Sequence, residues 1–252
     1  MISKNQIKFI RSLGQKKFRD ECHAFVAEGP KIVGDLLSVR NARLIAATER
    51  WLSLHEKTSC DTYCISEEEL QKISFLQHPQ DVVAVFDKPE SVSPPLPGSN
   101  TLTLALDGIQ DPGNLGTIVR IADWFGIERI YCSTDTADLY NPKVVQATMG
   151  SIARVSVYYC NLPELLTQLP VDYPVYGTLL DGNDIYAQQL SPNGLIVMGN
   201  EGKGISERLR PLIKKRLLIP SFAKTQASHA ESLNVAIATA ITCAEFRRRI
   251  HT

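Results

Sequence analysis

The 252-residue chain reads as an α/β protein in two parts, the second built on a parallel β-sheet with helices on both faces. Three observations predict this. Short apolar runs alternate with helical patterns along the whole chain. From Thr101 onward those runs lengthen and become apolar at nearly every position, as strands covered on both faces do. Between the two regimes, Lys88 to Asn100 carries Pro89, Pro94, Pro95, Pro97 and Gly98, a run that holds neither a helix nor a central strand. The division is therefore residues 1–87, a linker over 88–100, and residues 101–252.

In the first part, Ser3 is placed to cap a helix whose apolar stripe is Ile7, Ile10 and Leu13, with Gly14 ending it. Ala24-Phe25-Val26-Ala27 reads as a strand that stops at Glu28-Gly29-Pro30, and Pro30 suits the first position of the next helix. Leu44 to Ala46 and Thr62 to Ile65 are further strands. Ser66-Glu67-Glu68-Glu69 has the capping-box form ahead of a short helix, and Val82 to Phe86 is a fourth strand. This is a small α/β domain.

In the second part, six strands are expected: Leu102–Leu106, Arg129–Cys132, Val155–Tyr158, Val175–Thr178, Leu195–Met198 and Arg216–Ile219. Helical patterns separate most of them. The last helix runs from Leu233 to Ala244 and is apolar on almost every side, which predicts burial. Ser232 and Asn234 lie in its first turn, beside the open N–H groups and the positive end of the helix dipole, and Ser232 is either simply an N-cap or, with Asn234, part of a site.

Lysine plus arginine and aspartate plus glutamate both number 27, so the formal charge is zero and any nucleic-acid partner must be met by a local patch. Lys4, Lys8, Arg11, Lys16, Lys17 and Arg19 all precede the first acidic residue, Asp20. They are either a solvated helix face or a phosphate-binding run. The six cysteines are scattered without a CxxC pair, which fits reduced thiols and predicts neither a disulfide frame nor a metal site. The polar, charged start is unlike a signal peptide, and no apolar run approaches the ~20 residues that span a bilayer. The expectation is a soluble cytoplasmic protein with no membrane partner.

Ligands of open parallel sheets bind beyond the carboxyl ends of the strands. After the first strand of the second part comes Asp107-Gly108-Ile109-Gln110-Asp111-Pro112-Gly113-Asn114-Leu115-Gly116, with Asp111 and Pro112 suited to Ncap and N1. The helix that follows buries Leu115, Ile118, Val119, Ala122 and Phe125, and turns Arg120 and Trp124 the other way. Arg120 is either an exposed arginine paired with Asp123 or part of a face that meets another surface. After the fifth strand, Gly199-Asn200-Glu201-Gly202-Lys203-Gly204-Ile205-Ser206 is a tight loop with Ser206 placed to cap a helix, and Glu201 either a turn carboxylate or a site acid. No Walker A spacing and no GxGxxG after the first strand are present.

Taken together, Asn114-x5-Arg120, Gly199-Asn200-Glu201-Gly202, and Ile219-Pro220 followed by Ser232-Leu233-Asn234 resemble the three motifs of the SpoU (TrmH-like) methyltransferases. That family belongs to the SPOUT superfamily and methylates ribose 2′-hydroxyls of rRNA or tRNA. The resemblance covers residues 101–249. Phe25-Val26-Ala27-Glu28-Gly29-Pro30 and the basic start resemble the small L30e-like RNA-binding domain found ahead of many such enzymes. The resemblance implies a SPOUT-type sheet ending in a trefoil knot. It also implies a homodimer, an RNA substrate with rRNA favoured over tRNA, and S-adenosylmethionine as cofactor. By the same resemblance the cofactor lies on backbone around Thr178, Leu179, Leu180, Gly199, Asn200, Gly202, Ile219, Pro220 and Leu233. One departure is visible: Ser221 to Glu231 separates Ile219-Pro220 from Ser232-Leu233-Asn234 by more than is usual in the family, and includes Lys224 and His229.

The same resemblance gives Arg120 the central role, contacting the 2′-hydroxyl and the adjacent phosphate. An arginine pKa above ~12 leaves almost no free base, so stabilisation of the developing alkoxide is the easier role. Asn114, Ser232 and Asn234 orient Arg120 or the nucleotide, and Glu201 holds the loop or Arg120. Two rivals share the motifs: a catalytically silent RNA-binding chaperone and a base-methylating relative.

Overall fold

Ser3 caps the first helix, accepting from the Gln6 N–H while the Gln6 side chain accepts from the Ser3 N–H. In this computed structural model the described residues are 2–55, 59–90, 92–223 and 232–248. The chain then runs α1 Lys4–Ser12, α2 Lys16–Cys22, β1 Ala24–Glu28, α3 Pro30–Leu37, β2 Ala42–Ala47, α4 Glu49–Ser53, β3 Asp61–Cys64, α5 Glu67–Ile73 and β4 Val82–Asp87. It continues with β5 Leu102–Asp107, α6 Pro112–Trp124, β6 Arg129–Cys132, α7 Pro142–Ala147, β7 Ser156–Tyr159, α8 Leu162–Thr167, β8 Val175–Asp184, β9 Gly194–Gly199, β10 Lys215–Leu218 and α9 Val235–Arg248.

Two compact units result, one of Met1–Ser91 with Asp138–Arg154, the other of Val92–Ala137 with Val155–Thr252. The first unit holds a four-stranded sheet in the order β1-β4-β2-β3. Every residue of β1 is buried, so both of its faces need cover. Ile10 of α1, Leu13 at its C-cap, and Leu70 and Ile73 of α5 share one cluster with Ala24, Val26, Val83 and Val85. On alternate positions Phe25 stacks on Phe86 at 5.8 Å and meets the tilted ring of Tyr140 at 4.8 Å. Tyr140 and α7 belong to the 138–154 excursion, and burying a phenylalanine of this kind stabilises by about 1.5–3 kcal/mol. That burial explains why a stretch lying between β6 and β7 in sequence joins the first unit.

The second unit holds six strands in the order β10-β8-β9-β5-β6-β7, all parallel, as the apolar runs predict. Ala105, Tyr131, Val175, Leu195 and Val197 face α8 through Leu162, Leu165 and Leu166. The alternate positions Leu104, Ile130, Tyr176 and Ile196 are also buried. Phe246 of α9 meets Tyr176 edge-on at 4.8 Å. Burial pushes the Cys132 thiol well up and the Cys243 thiol to about 12, so neither is a thiolate at neutral pH.

Two expectations are corrected here. Ser206 does not cap an α-helix: a turn leads to a single 3₁₀ turn at Arg210–Leu212, because Pro211 cannot extend a helix through its missing N–H. The last helix is not buried all round, since Ile237 remains 52% exposed and Ala244 is exposed. The proline run is also less free than its composition suggests. Tyr131 Oη donates to Pro95 O at 2.9 Å and Tyr173 Oη to Gly98 O at 3.2 Å, which fastens its second half to the second unit. Among the described residues no helix is long and apolar enough to cross a membrane.

Candidate active site

β5 and β9 are neighbours in the middle of the six-stranded sheet, and their carboxyl ends meet where Asp107 pairs with Gly199. Both strands release a loop there. After β5, Asp111 caps α6 by accepting from the Asn114 N–H at 2.7 Å, with Pro112 in the first turn. This fixes Asn114 in the first turn, where its side chain faces two partners. Its Nδ2 donates to Glu201 Oε1 at 2.7 Å, and its Oδ1 accepts from Asn234 Nδ2 at 2.9 Å.

The polarity of this chain is set from both ends. Asn234 Oδ1 accepts from the N–H groups of Ala236 at 2.9 Å and Ile237 at 3.3 Å, so its Nδ2 must point away, toward Asn114. Glu201, when ionised, can only accept. Asn114 must therefore present oxygen to Asn234 and nitrogen to Glu201, and no amide can flip without losing a bond. One residue from each of three motifs is joined. These contacts also correct the sequence reading of the last helix: its cap is Asn234, while Ser232 is exposed two residues earlier.

The loop after β9 is closed on itself. Asn200 N–H donates to Gly204 O at 3.0 Å and Gly204 N–H returns to Asn200 O at 2.9 Å. Asn200 Oδ1 accepts from the N–H groups of Gly202 and Lys203, both at 3.0 Å, and Nδ2 donates to Gly108 O at 2.7 Å. The Asn200 side chain therefore shapes the loop and has its polar atoms engaged within it. Gly199 has no room for a side chain: a Cβ there would lie 2.3 Å from Gly204 C and Ile205 N. At Gly202 the nearest atom would be 3.7 Å away, so space does not demand glycine.

A third segment lies in β8. Its pairing with β10 jumps from Gly177 opposite Arg216 to Asn183 opposite Leu217, so Thr178 to Gly182 bulge out of the ladder. A Cβ at Gly182 would sit 2.6 Å from the Leu217 carbonyl carbon, a close backbone crossing that nothing in the sequence signals. Thr178 Oγ1 reaches Val197 O at 3.5 Å, Leu179 is buried and Leu180 is 75% exposed. Ile219 and Pro220 follow β10 half-buried, and Leu233 is exposed. Bulged backbone together with apolar side chains suits a nucleoside-bearing cofactor, which needs N–H and C=O partners for its edges and an apolar wall for its base.

Arg120 lies on α6 about 9 Å of helix rise beyond Asn114. It is exposed and makes no hydrogen bond or ion pair with any described residue, so the pairing with Asp123 does not form. Trp124, one turn further, is 85% exposed. Among the described residues no group of three or more His, Cys, Asp or Glu side chains is placed to hold a metal ion.

The N-terminal basic residues divide. Lys4 and Lys8 are exposed on α1. Arg11 donates to Ser74 O at 2.5 Å with its guanidinium 4.7 Å from the Phe75 ring centroid. Lys16 and Lys17 pair with Asp20 at 2.5 Å and Glu21 at 3.8 Å on the surface of α2. Arg19 does not belong with them. It is 2% exposed, pairs with Asp138 at 2.6 Å, and donates to Leu13 O and Gly14 O, so its guanidinium is buried inside the protein and not presented to a phosphate.

The SpoU rRNA Methylase family model matches residues 101–244, and the MRM3-like substrate binding domain model matches residues 4–84. The 23S rRNA (guanosine(2553)-2′-O)-methyltransferase RlmP of Bacillus subtilis is 31% identical over 244 residues, 95% of each chain. The 23S rRNA (guanosine-2′-O-)-methyltransferase RlmB of Neisseria meningitidis serogroup B is 30% identical over 181 residues, 70% of this chain and 68% of that one. Among solved structures, a TrmH-family protein from Porphyromonas gingivalis superposes with a TM-score of 0.88 at 43% identity over 99% of both chains. The AdoMet-bound rRNA methyltransferase from Sinorhizobium meliloti does so with a TM-score of 0.86 at 32% identity, over 99% of this chain and 97% of that one.

Proposed function

The chain belongs to the SpoU rRNA methylase family, and from that membership we propose that it is an S-adenosylmethionine-dependent RNA 2′-O-ribose methyltransferase acting on rRNA. The observation that carries the reading is the Asn234–Asn114–Glu201 chain, which binds one residue from each of the three motifs into a single oriented unit. The cofactor, when bound, supplies an electrophilic methyl on a cationic sulfonium. Its proposed seat is the Thr178–Leu180 bulge with Gly199, Gly202, Ile219, Pro220 and Leu233, and Asn200 shapes the loop from within.

Arg120 is the residue proposed to meet the reacting hydroxyl. Its guanidinium, without a partner among the described residues, offers a fork of donors to the adjacent phosphate and to the alkoxide that develops as the hydroxyl loses its proton. Remaining charged at neutral pH, it works by electrostatics, and the phosphate oxygen is the proposed proton acceptor. Ser232, exposed just before the α9 cap, is proposed to orient the nucleotide. Lys4, Lys8, Arg11, Lys16 and Lys17 of the substrate-binding domain are the proposed phosphate contacts.

The proposal extends to a C-terminal trefoil knot, supported by the close crossing of Gly182 and Leu217, and to an L30e-like N-terminal domain. It extends also to a homodimer, supported by the exposed Trp124 and Ile237, and to a cytoplasmic setting, where six free cysteines stay reduced. Incubation with methyl-labelled S-adenosylmethionine and rRNA tests the activity. Label at a nucleotide whose 3′-phosphodiester resists alkali is expected. Absence of label supports the silent chaperone instead, and label at an alkali-sensitive position supports a base methyltransferase.

A further inference from the structure

The loop that carries Glu201 is fastened to the end of β5 at two neighbouring points, only one of which involves a motif residue. Asn200 Nδ2 donates to Gly108 O at 2.7 Å, and the Gly108 N–H is itself held by Ser133 Oγ at 2.8 Å. The second point is Asp107, whose Oδ2 accepts from the Ser206 N–H at 2.7 Å, where the loop closes. Asp107 also faces Gly199, where the loop opens, as its neighbour in the parallel ladder. One carboxylate thus stands across the whole stem. Its other oxygen, Oδ1, makes no hydrogen bond to any described residue. The stem cannot take up slack elsewhere, since Gly199 lies against the Gly204–Ile205 backbone with no space for a Cβ.

We propose that Asp107 is a positioning residue for methyl transfer, an inference that rests on the methyltransferase reading above. By holding the Ser206 N–H it fixes the closing end of the loop, hence the place of Glu201 and, through Asn114, the start of α9. A half-buried carboxylate that accepts a backbone N–H, here that of the exposed Ser206, is worth roughly 10- to 100-fold in the population of the ordered loop. Loss of about 1 Å in the placement of groups around the reacting atoms costs on the order of 100-fold in rate.

Two substitutions in the full-length protein separate positioning from direct chemistry. Asp107→Asn keeps an acceptor oxygen for Ser206 and removes the charge, whereas Asp107→Ala removes both. Methyl transfer to rRNA at saturating cofactor should fall about 10- to 100-fold in Asp107→Ala and return to within about threefold of wild type in Asp107→Asn. Wild-type transfer by Asp107→Ala overturns the proposal. So does an Asp107→Asn variant as impaired as Asp107→Ala, which would put the charge itself at the reacting centre. Should Asp107→Ala fail to fold, Asp107→Glu, longer by one methylene, should fold and transfer slowly; a wild-type rate from it counts against the idea. Amide exchange at Ser206 needs no RNA, so it tests the positioning even if the wild type labels no rRNA and the methyltransferase reading falls. It should be slow in wild type and Asp107→Asn and fast in a folded Asp107→Ala, and equal exchange in all three refutes the role.

Discussion

The Asn114 side-chain amide donates to the Glu201 carboxylate at 2.7 Å across 87 positions of sequence, and its orientation is dictated by a helix cap on its other side. Replacing Asn114 with aspartate keeps the shape but substitutes an acceptor for the donor. Two carboxylates would then face each other at hydrogen-bond distance, where one must take up a proton or move away. Asn114→Asp should therefore transfer methyl more slowly than Asn114→Ala, although it is closer in volume. Steady-state transfer to rRNA by the two variants checks the order, and a faster Asn114→Asp would show that the donor direction is unimportant.

Arg120 is the counterpart with no hydrogen-bond or ion-pair partner among the described residues. Arg120→Ala should leave cofactor affinity nearly intact, because the proposed cofactor seat lies on β8, β9 and the segment after β10, while transfer falls by orders of magnitude. Arg120→Lys should recover little of the loss, since an ammonium lacks the planar fork that grips a phosphate and an alkoxide together. Calorimetric cofactor binding beside single-turnover transfer separates the two effects. Near wild-type turnover by Arg120→Ala would take Arg120 out of the reacting centre.

Most of the frame was legible in the residues, because it depends on local chemistry. Apolar runs gave the strands, Asp111-Pro112 gave a helix start, and Ser66-x-x-Glu69 gave a capping box that forms as expected. What escaped depended on partners far along the chain. Ser232 and Asn234 are equally good capping types, and only Asn114, 120 positions away, selects the second. Arg19 looked like the rest of a basic run until Asp138, 119 positions on, drew it inward. Asp107 ends a strand like many acids, and its partner Ser206 becomes visible only once β5 and β9 lie side by side.

Arg19 yields a sharp contrast with its basic neighbours. A buried guanidinium paired with one carboxylate and two carbonyls is costly to break from one side, at about 3–5 kcal/mol. Arg19→Ala should lower the melting temperature markedly while leaving the salt dependence of RNA binding unchanged in whatever protein folds. The double change Lys4→Ala, Lys8→Ala should do the reverse, reducing the slope of log K against log salt by roughly two with little effect on melting. A flattened salt slope in Arg19→Ala would return Arg19 to the phosphate contacts.

Asp20 supplies the pH dependence. Hydrogen bonds from Lys16 and then Lys88 lower its carboxyl from 3.8 to about 2 in the folded chain. A lowered acid stabilises the fold above its unfolded value and loses that stabilisation as pH falls through the folded one. The stability difference between wild type and Asp20→Asn should therefore be constant above pH 5, shrink from about pH 4, be mostly lost by pH 2 and vanish below it. Because the groups are largely exposed, the difference should also shrink with salt. Chemical denaturation across this range checks both, and a difference undiminished at pH 2 would assign it to packing.

The last prediction concerns the surface formed by α6 and α9. Trp124 is 85% exposed, Ile237 is 52% exposed and Ile121 is half-buried, on two helices packed against each other. Leaving such side chains wet forgoes roughly 25 cal/mol for each Å² of apolar surface. The same α6 face carries Arg120, so a second copy of the chain seated there would cover the apolar residues and enclose the guanidinium. Enclosure matters for the proposed chemistry, because an arginine stabilises an alkoxide far more strongly away from bulk water. Trp124→Glu should therefore shift the protein from dimer toward monomer in sedimentation and lower methyl transfer in parallel, with the melting temperature of the separated chain little changed. Raising the concentration of this variant should restore both together, since mass action opposes a weakened association. A wild-type protein that sediments as a monomer at micromolar concentration while remaining fully active would leave the exposed tryptophan to some other partner.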